Sequence, residues 1–368
     1  MPDDRVRVFL AGDVMTGRGV DQILAHPGDP RLYEAWVKSA IRYVELAEQA
    51  HGPIPRGVQP GYVWGDALEI LDGPTVDVRI VNLETAITDR GDPWPDKGIH
   101  YRMHPGNADV LTAARIDCCV LANNHVLDWS FPGLERTLET LHASGIATAG
   151  AGHDIREARA PAVVETGTGR RVVAAGVGMP SSGIPTMWAA GEDEAGVWLL
   201  PSLTDSLVEQ VGAVLETLRR PGDVTVVSIH WGPNWGYHIP RSHRRFAQAL
   251  IDTVGVDIVH GHSSHHPIGV EIYRGKLILY GCGDLINDYE GIGGEEKFRP
   301  DLGGMYLVTM GADGLEELTI VPTRLRRFRL ERAGREDAAW LARTLTMASR
   351  RFGTRFEVDG EGMLRVHW

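Results

Sequence analysis

The sequence predicts a layered α/β fold. Short β-rich apolar runs alternate with segments of helical period through most of the chain, and several of those runs end on a residue able to bind or catalyse. A chain of 368 residues with 43% hydrophobic content can bury a full core, and a layered α/β unit of this length needs no second domain.

Each element follows from its local pattern. Residues 5–12 form a β-rich run that stops at Gly12-Asp13. Residues 31–50 place Leu32, Trp36, Ile41, Val44 and Leu46 along one broad side, which predicts a helix. Residues 76–83 predict a second strand that runs out at Asn82 and Glu84, and Gly91 to Gly106 is a Pro/Gly-rich irregular loop. Residues 117–121 predict a buried strand before Asn123-Asn124-His125. A helix follows from Pro132, suited to a first turn, to Ala143, with Gly145 as its stop. Further strands are expected at 171–177, 223–230 and 256–260, with helices at 202–219 and 241–253 between them. From residue 267 the pattern changes to consecutive strands at 268–273, 276–281, 304–310 and 315–321, joined by turns such as Arg274-Gly275. The basic stretch Arg324 to Arg332 and the tail to Trp368 are expected as an appended element. This gives a main domain over 1–322 and a C-terminal extension over 323–368 packed on the same unit.

Composition excludes several functions. The formal net charge is -12 and no Lys/Arg-rich run occurs, so a phosphate-backbone ligand is not expected. Cys118, Cys119 and Cys282 are too few for a disulfide framework. The N-terminal segment lacks a basic region followed by a long apolar stretch. No run approaches the roughly 20 apolar residues that span a bilayer. A cytoplasmic protein with no membrane partner is expected.

Asp13, Glu84, Asn124-His125, His230 and His260-Gly261-His262 each lie at or just after the carboxyl end of a predicted strand. Ligands of α/β sheets bind beyond those ends. Mixed oxygen and imidazole donors without thiolate suit Mn, Zn, Fe, Mg or Ca, as one ion or as two bridged by a carboxylate such as Glu84. Bland alternatives exist: Asp13 and Asp128 as helix N-caps, Asn123 and Asn124 as turn residues. The four histidines within residues 260–266 resist that reading, because they repel as cations unless a metal or hydrogen bonds keep them neutral.

The segments Gly12-Asp13-Val14-Met15, Val81-Asn82-Leu83-Glu84, Ala122-Asn123-Asn124-His125 with Asp128, Ile229-His230-Trp231-Gly232 and His260-Gly261-His262 with His265-His266-Pro267 resemble the CapA family of poly-γ-glutamate capsule biosynthesis. That family is a branch of the calcineurin-like metallophosphoesterase fold. The turn Tyr280-Gly281-Cys282-Gly283-Asp284 also resembles the family, and the likeness runs from about residue 6 to about residue 322. The resemblance implies a four-layer αββα sandwich. It implies Asp13, Glu84, Asn124, His230 and His262 as metal ligands, and His125 as an acid/base oriented by Asp128. Departures are Met15 where metallophosphoesterases carry His, Glu84 where they carry Asp, and a displaced last histidine, His265, which is left as a ligand or an acid/base.

A metal that polarises a carbonyl, beside an imidazole that moves protons, serves amide or phosphoester hydrolysis, amide transfer, or proton abstraction next to a carbonyl. CapA-like proteins also resemble the peptide epimerases of lasso-peptide pathways. The expected function is therefore a metal-dependent peptide-modifying enzyme that inverts Cα of a ribosomal precursor peptide, with His125 and His265 as the acid/base pair. A hydrolase or transferase of poly-γ-glutamate-type amides or phosphoesters is the second reading, with Arg18 as its candidate phosphate ligand. A metal-binding partner protein without catalysis is the third. Trp64, Trp94, Trp129, Trp188, Trp231 and Trp235 fall near the motif loops, and Trp231 and Trp235 are expected to line the pocket mouth for a peptide substrate.

Overall fold

The computed structural model describes residues 4–73 and 76–368. The run from Val6 is buried along almost its whole length, as a strand covered on both faces must be. It forms β1 (Val6–Val14), followed in space by β2 (Val78–Leu83), β3 (Cys118–Val120) and β4 (Ala147–Ala149), all parallel. The chain then crosses to a six-stranded sheet made of β5 (Ala162–Glu165), β6 (Arg171–Gly178), β7 (Val224–His230), β8 (Ile258–His262), β9 (Val270–Tyr273) and β10 (Lys276–Leu279). Its centre, β6-β7-β8-β10, is parallel. The chain returns to the first sheet with β11 (Asp284–Ile286), parallel to the end of β1, and β12 (Leu302–Met310), antiparallel to β1. Beyond these lie β13 (Leu315–Arg326), β14 (Arg329–Arg332), β15 (Arg355–Val358) and β16 (Leu364–His367).

The strands bury both faces, and period-two alternation assigns the faces to different layers. Val8, Leu10 and Ile80 of the first sheet meet Ala174, Val226 and Ile258 of the second in one apolar cluster. Their neighbours Phe9, Ala11 and Val81 pack outward with Leu134 and Leu138 of α2 (Ser130–Ala143), beyond α1 (Ile41–His51) in the chain. Val173, Val227 and Ile229 pack outward with Val208 and Val211 of α3 (Asp205–Glu216) and Phe246 of α4 (Arg241–Ala249). The order is helices, sheet, sheet, helices. A last helix, α5 (Arg335–Ser349), adds Leu341 and Leu345 to the cluster between the sheets. Among the described residues, no helix is long and apolar enough to cross a membrane.

Two expectations need correction. The expected helix does not begin until Ile41: residues 31–40 are irregular, with a bridge between Arg31 and Ser39. The physical reason is Glu34, whose carboxylate reaches inward to Arg18 and Tyr43. This turns Trp36 outward, 96% exposed, away from the face that helical spacing gives it. The basic stretch is not an appendage either. β13 continues through residue 323 to Arg326, turns at Arg327 and Phe328, and returns as β14. Two of its charges are matched locally, Arg324 with Asp301 and Asp337, and Arg329 with Asp66.

Candidate metal centre

The parallel strands deliver their carboxyl ends to one edge. Asp13 lies one residue before the end of β1, Glu84 follows β2, Asn124 and His125 follow β3, and His230 and His262 are register partners closing β7 and β8. The sheets are tied there by His260, whose Nε2 lies 2.8 Å from the Ala11 carbonyl. Close approach also requires glycine: a Cβ on Gly12 would stand 2.0 Å from the Gly283 carbonyl oxygen. That contact sets Asp13 beside its register partner Asp284. Ser263, between His262 and His265, holds φ at 94°, a rare conformation of the kind concentrated at functional sites.

Hydrogen-bond logic fixes the protons on the histidines. His260 Nε2 donates to a carbonyl, so its Nδ1 accepts from Ser228 Oγ at 2.9 Å. Ser228 Oγ then accepts from His262 Nε2 at 2.9 Å, leaving a lone pair on His262 Nδ1. His230 Nε2 donates to Asn124 Oδ1 at 2.9 Å, leaving a lone pair on His230 Nδ1. These two lone pairs face each other across 2.7 Å. Burial drives both imidazoles well below the usual histidine range, so neither is held as a cation. Asp13 Oδ2, buried and without a hydrogen-bond partner, completes the group. Asp13, His230 and His262 offer ligand atoms within 4.8 Å of one another. Unprotonated nitrogens and an orphaned carboxylate oxygen are a fit for a divalent cation.

Asp13 also belongs to a second such group, with His265 and Asp284. Glu84 is near: Asn82 Nδ2 donates to Asp13 Oδ1 at 2.8 Å and to Glu84 Oε2 at 3.1 Å, and is itself aimed by Asn123. Burial first, and then neighbouring carboxylates, raise both Asp13 and Glu84 above the ordinary carboxylate range. Crowded, desolvated anions are the electrostatic complement of a cation.

Two imidazoles flank this centre with opposite tuning. His125 Nδ1 donates to Asp128 Oδ2 at 2.6 Å, and its Nε2 faces Glu84 Oε1 at 3.8 Å. Asp128 Oδ1 pairs with Lys97 Nζ at 2.5 Å, and Oδ2 also accepts from Tyr101 N at 2.6 Å. Burial pushes His125 down to about 4 against the pull of Asp128. His265 Nδ1 pairs with Asp284 Oδ1 at 2.9 Å, and Asn234 and Tyr289 lie against its Nε2 at 3.0 and 3.5 Å. Burial pulls His265 down, but the charge and hydrogen bond of Asp284, helped by Asp13, outweigh it and raise it.

Asp13, Glu84, Asn124, His125, Asp128, His230, His262 and His265 are therefore brought together. Trp231 is not at a pocket mouth: it is buried, stacked on His243 at 4.4 Å, and donates to the Tyr280 carbonyl. Trp64 is likewise buried, bonded to the Val110 carbonyl. Trp235 does sit by the site, 5.4 Å from the His265 ring and stacked on His266 and Phe298. Sequence reasoning missed Asn82, Lys97, Asp284 and Tyr289. Asp284 follows a glycine as Asp13 does, which was its available signal.

Arg18 is committed elsewhere. It is buried, bonded to Asp288 through Nε at 2.7 Å and Nη2 at 2.5 Å, and to Glu34 at 2.9 Å, between the Tyr43 and Tyr101 rings. Arg18→Ala strands two buried carboxylates and is expected to remove about 3 to 5 kcal/mol of stability. Urea unfolding measures this, and a loss below about 1 kcal/mol, the size of an exposed pair, would refute the assignment of Arg18 to structure.

A family model described as bacterial capsule synthesis protein PGA_cap matches residues 7–289. The probable polyglutamine synthesis accessory protein of Mycobacterium tuberculosis is 49% identical over 367 residues, covering 99% of this chain and 96% of that protein. The PGA biosynthesis protein CapA of Bacillus subtilis is 25% identical over 287 residues, covering 78% of this chain and 64% of that protein. Among solved structures, GAP50, the anchor in the inner membrane complex of Plasmodium, aligns over 90% of this chain and 87% of that one. Its TM-score is 0.34 at 9% identity, too distant to carry an argument.

Proposed function

The chain belongs to the bacterial capsule synthesis protein family, and from that premise we propose that it is a metal-dependent enzyme acting on amide bonds of a glutamate- or glutamine-derived polymer. The observation that carries this reading is the grouping of Asp13, His230 and His262, with the facing Nδ1 atoms of the two imidazoles free of protons and Asp13 Oδ2 unpartnered. The helix–sheet–sheet–helix order supports reading the fold as the calcineurin-like metallophosphoesterase sandwich. The relatives named for polyglutamine synthesis and PGA biosynthesis favour a poly-amino-acid substrate over a lasso-type precursor.

Asp13, His230 and His262 would hold the ion, with Asn124 orienting His230 and Ser228 orienting His262. A divalent ion there supplies Lewis acidity toward a carbonyl oxygen. His125, neutral and held through Nδ1 by Asp128, takes a proton at Nε2 from the attacking water or amine. His265, raised beside Asp284, gives a proton to the leaving amide nitrogen. Pairs of groups whose surroundings push their pKa values apart mark base and acid.

The same split pair favours a second reading, Cα inversion, in which one imidazole removes a proton and the other returns one. One experiment separates them. Protein loaded with Mn or Zn is incubated in deuterated water with poly-γ-glutamate and with glutamine oligomers, and products are weighed by mass spectrometry. Amide chemistry predicts shortened or rejoined chains without deuterium at Cα. Cα deuterium on chains of unchanged length supports inversion instead. Metal-loaded protein that does neither defeats both and leaves a non-catalytic accessory role.

A further inference from the structure

The helix α5 and the strand after it carry a feature that the candidate centre does not use. Arg343, Met347 and Arg350 fall at spacings of four and three, so they share one face at the end of α5. Arg355 stands across from them at the start of β15. These side chains border a depression of about 690 Å³ whose floor includes Ala342, Thr346 and Phe356. Met347 and Arg350 also border a second depression, of about 540 Å³, lined by Tyr237, His238 and Arg351. Met347 is 67% exposed and forms the ridge between the two.

The arginines are exposed, and among the described residues Arg343, Arg350 and Arg355 have no ion-pair partner. Several other surface arginines are matched, as Arg136 is with Asp89 and Glu139, and Arg299 with Asp301 and Asp337; what sets Arg343, Arg350 and Arg355 apart is that they border one groove. A cation at a helix end complements the helix dipole, which accounts for Arg350 but not for Arg355 on a strand across the groove. On a chain of net charge -12, clustered unpaired arginines mark a place for an anion.

We propose that this double groove binds a polyacidic peptide chain, the glutamyl polymer, and leads it to the candidate centre. The identity of the chain rests on the reading under Proposed function; the anion site does not. An occupant longer than one anion is required, because Arg343 and Arg350 alone are about 10 Å apart along the helix at about 1.5 Å per residue. A glutamyl chain carries one carboxylate per residue, spaced about 3.3 Å or more when extended. Duplex nucleic acid carries a charge about every 1.7 Å, too dense for four arginines on an acidic protein. The concave shape and the single apolar ridge do not suit a flat lipid surface. Continuity with the site is direct: Tyr237 packs on His266 at 4.6 Å, and Asn234 of the same loop contacts His265 at 3.0 Å.

The test uses labelled poly-γ-glutamate and the full chain, with chelator present so that the metal centre takes no part. Anisotropy should report binding that weakens with added salt. Arg343→Glu/Arg350→Glu/Arg355→Glu together should weaken it by about tenfold or more, since charge-assisted contacts are replaced by repulsion. Unchanged metal uptake by the triple variant reports an intact fold. Equal binding by parent and variant would overturn the proposal. So would displacement of the polymer by a charge-matched DNA strand, or by phosphatidylglycerol vesicles, at lower concentrations than unlabelled polymer requires. Charge-dependent binding without turnover upholds the groove while removing the amide chemistry. Turnover that the triple variant leaves untouched does the reverse.

Discussion

Asp13→Asn is expected to abolish metal uptake and lower activity by about a thousandfold, while leaving the metal-free protein as stable as its parent or more so. The rate loss corresponds to several kcal/mol of charge stabilisation at about 1.4 kcal/mol per decade. The stability effect has the opposite sign because Asp13 is buried beside Asp284 and near Glu84, and burial followed by Asp284's charge raises its pKa to about 7. A carboxyl raised in the fold contributes stability that is complete below its unfolded value of 3.8 and is lost as pH climbs through the folded value. The metal-free parent should therefore weaken between about pH 4 and pH 7, and the Asn variant should not share that fall. Asn keeps an Oδ1 to accept from Asn82, so the local hydrogen bond survives. Metal should then raise the melting temperature of the parent alone, by an amount equivalent to about 2.7 kcal/mol at a hundredfold excess over Kd. Elemental analysis and thermal melts with and without metal measure all of this. A variant that still binds stoichiometric metal, or that unfolds more easily when metal-free, defeats the assignment of Asp13.

What could be read from the sequence follows a topological rule. Asp13, Glu84, Asn124, His230 and His262 all close or follow strands of parallel sheets, and parallel strands must bring their carboxyl ends to one edge. The strand pattern aligns them within each sheet; their meeting across the two sheets depends on packing such as the His260 contact with the Ala11 carbonyl. Asp284 obeys a different geometry. It opens a strand of three residues that slips beside the end of β1, and so short a run has no periodicity to read. Yet it supplies the carboxylate near the position where Met15 offers no imidazole, Met15 being buried with its sulfur against Tyr289. Lys97 lies in an irregular loop, where neither period nor spacing says that its ammonium will reach Asp128. Asn82 stands at a strand end in the sequence pattern, but nothing in that pattern says that its amide joins Asp13 to Glu84. The helix expected over 31–50 forms from Ile41 but not over 31–40, for an electrostatic reason that local pattern cannot carry. Buried Arg18 draws Glu34 inward from nine residues before Tyr43, and the pair overrides the helical spacing of Leu32 and Trp36.

His125→Gln should lower kcat by about a hundredfold to ten-thousandfold, the range of a lost general base, with metal content unchanged. Asp128→Asn tests the same residue through its partner. Asp128 accepts from His125 Nδ1, which leaves Nε2 free toward Glu84; an amide there no longer enforces that tautomer. Lys97→Met separates charge from position. Lys97 pairs with Asp128 and lies 3.1 Å from His125 Nδ1, and its charge lowers the imidazole's pKa. Without it, burial still holds the imidazole down but Asp128 raises it against less opposition, so the acid limb of kcat/KM should move to higher pH while the plateau falls less than in His125→Gln. A merely structural lysine would change stability without moving that limb. An accessory protein that only binds metal would tolerate all three changes in function. Loss of metal with His125→Gln would instead place this histidine among the ligands and leave His265, which Asp284 raises, as the remaining acid/base group.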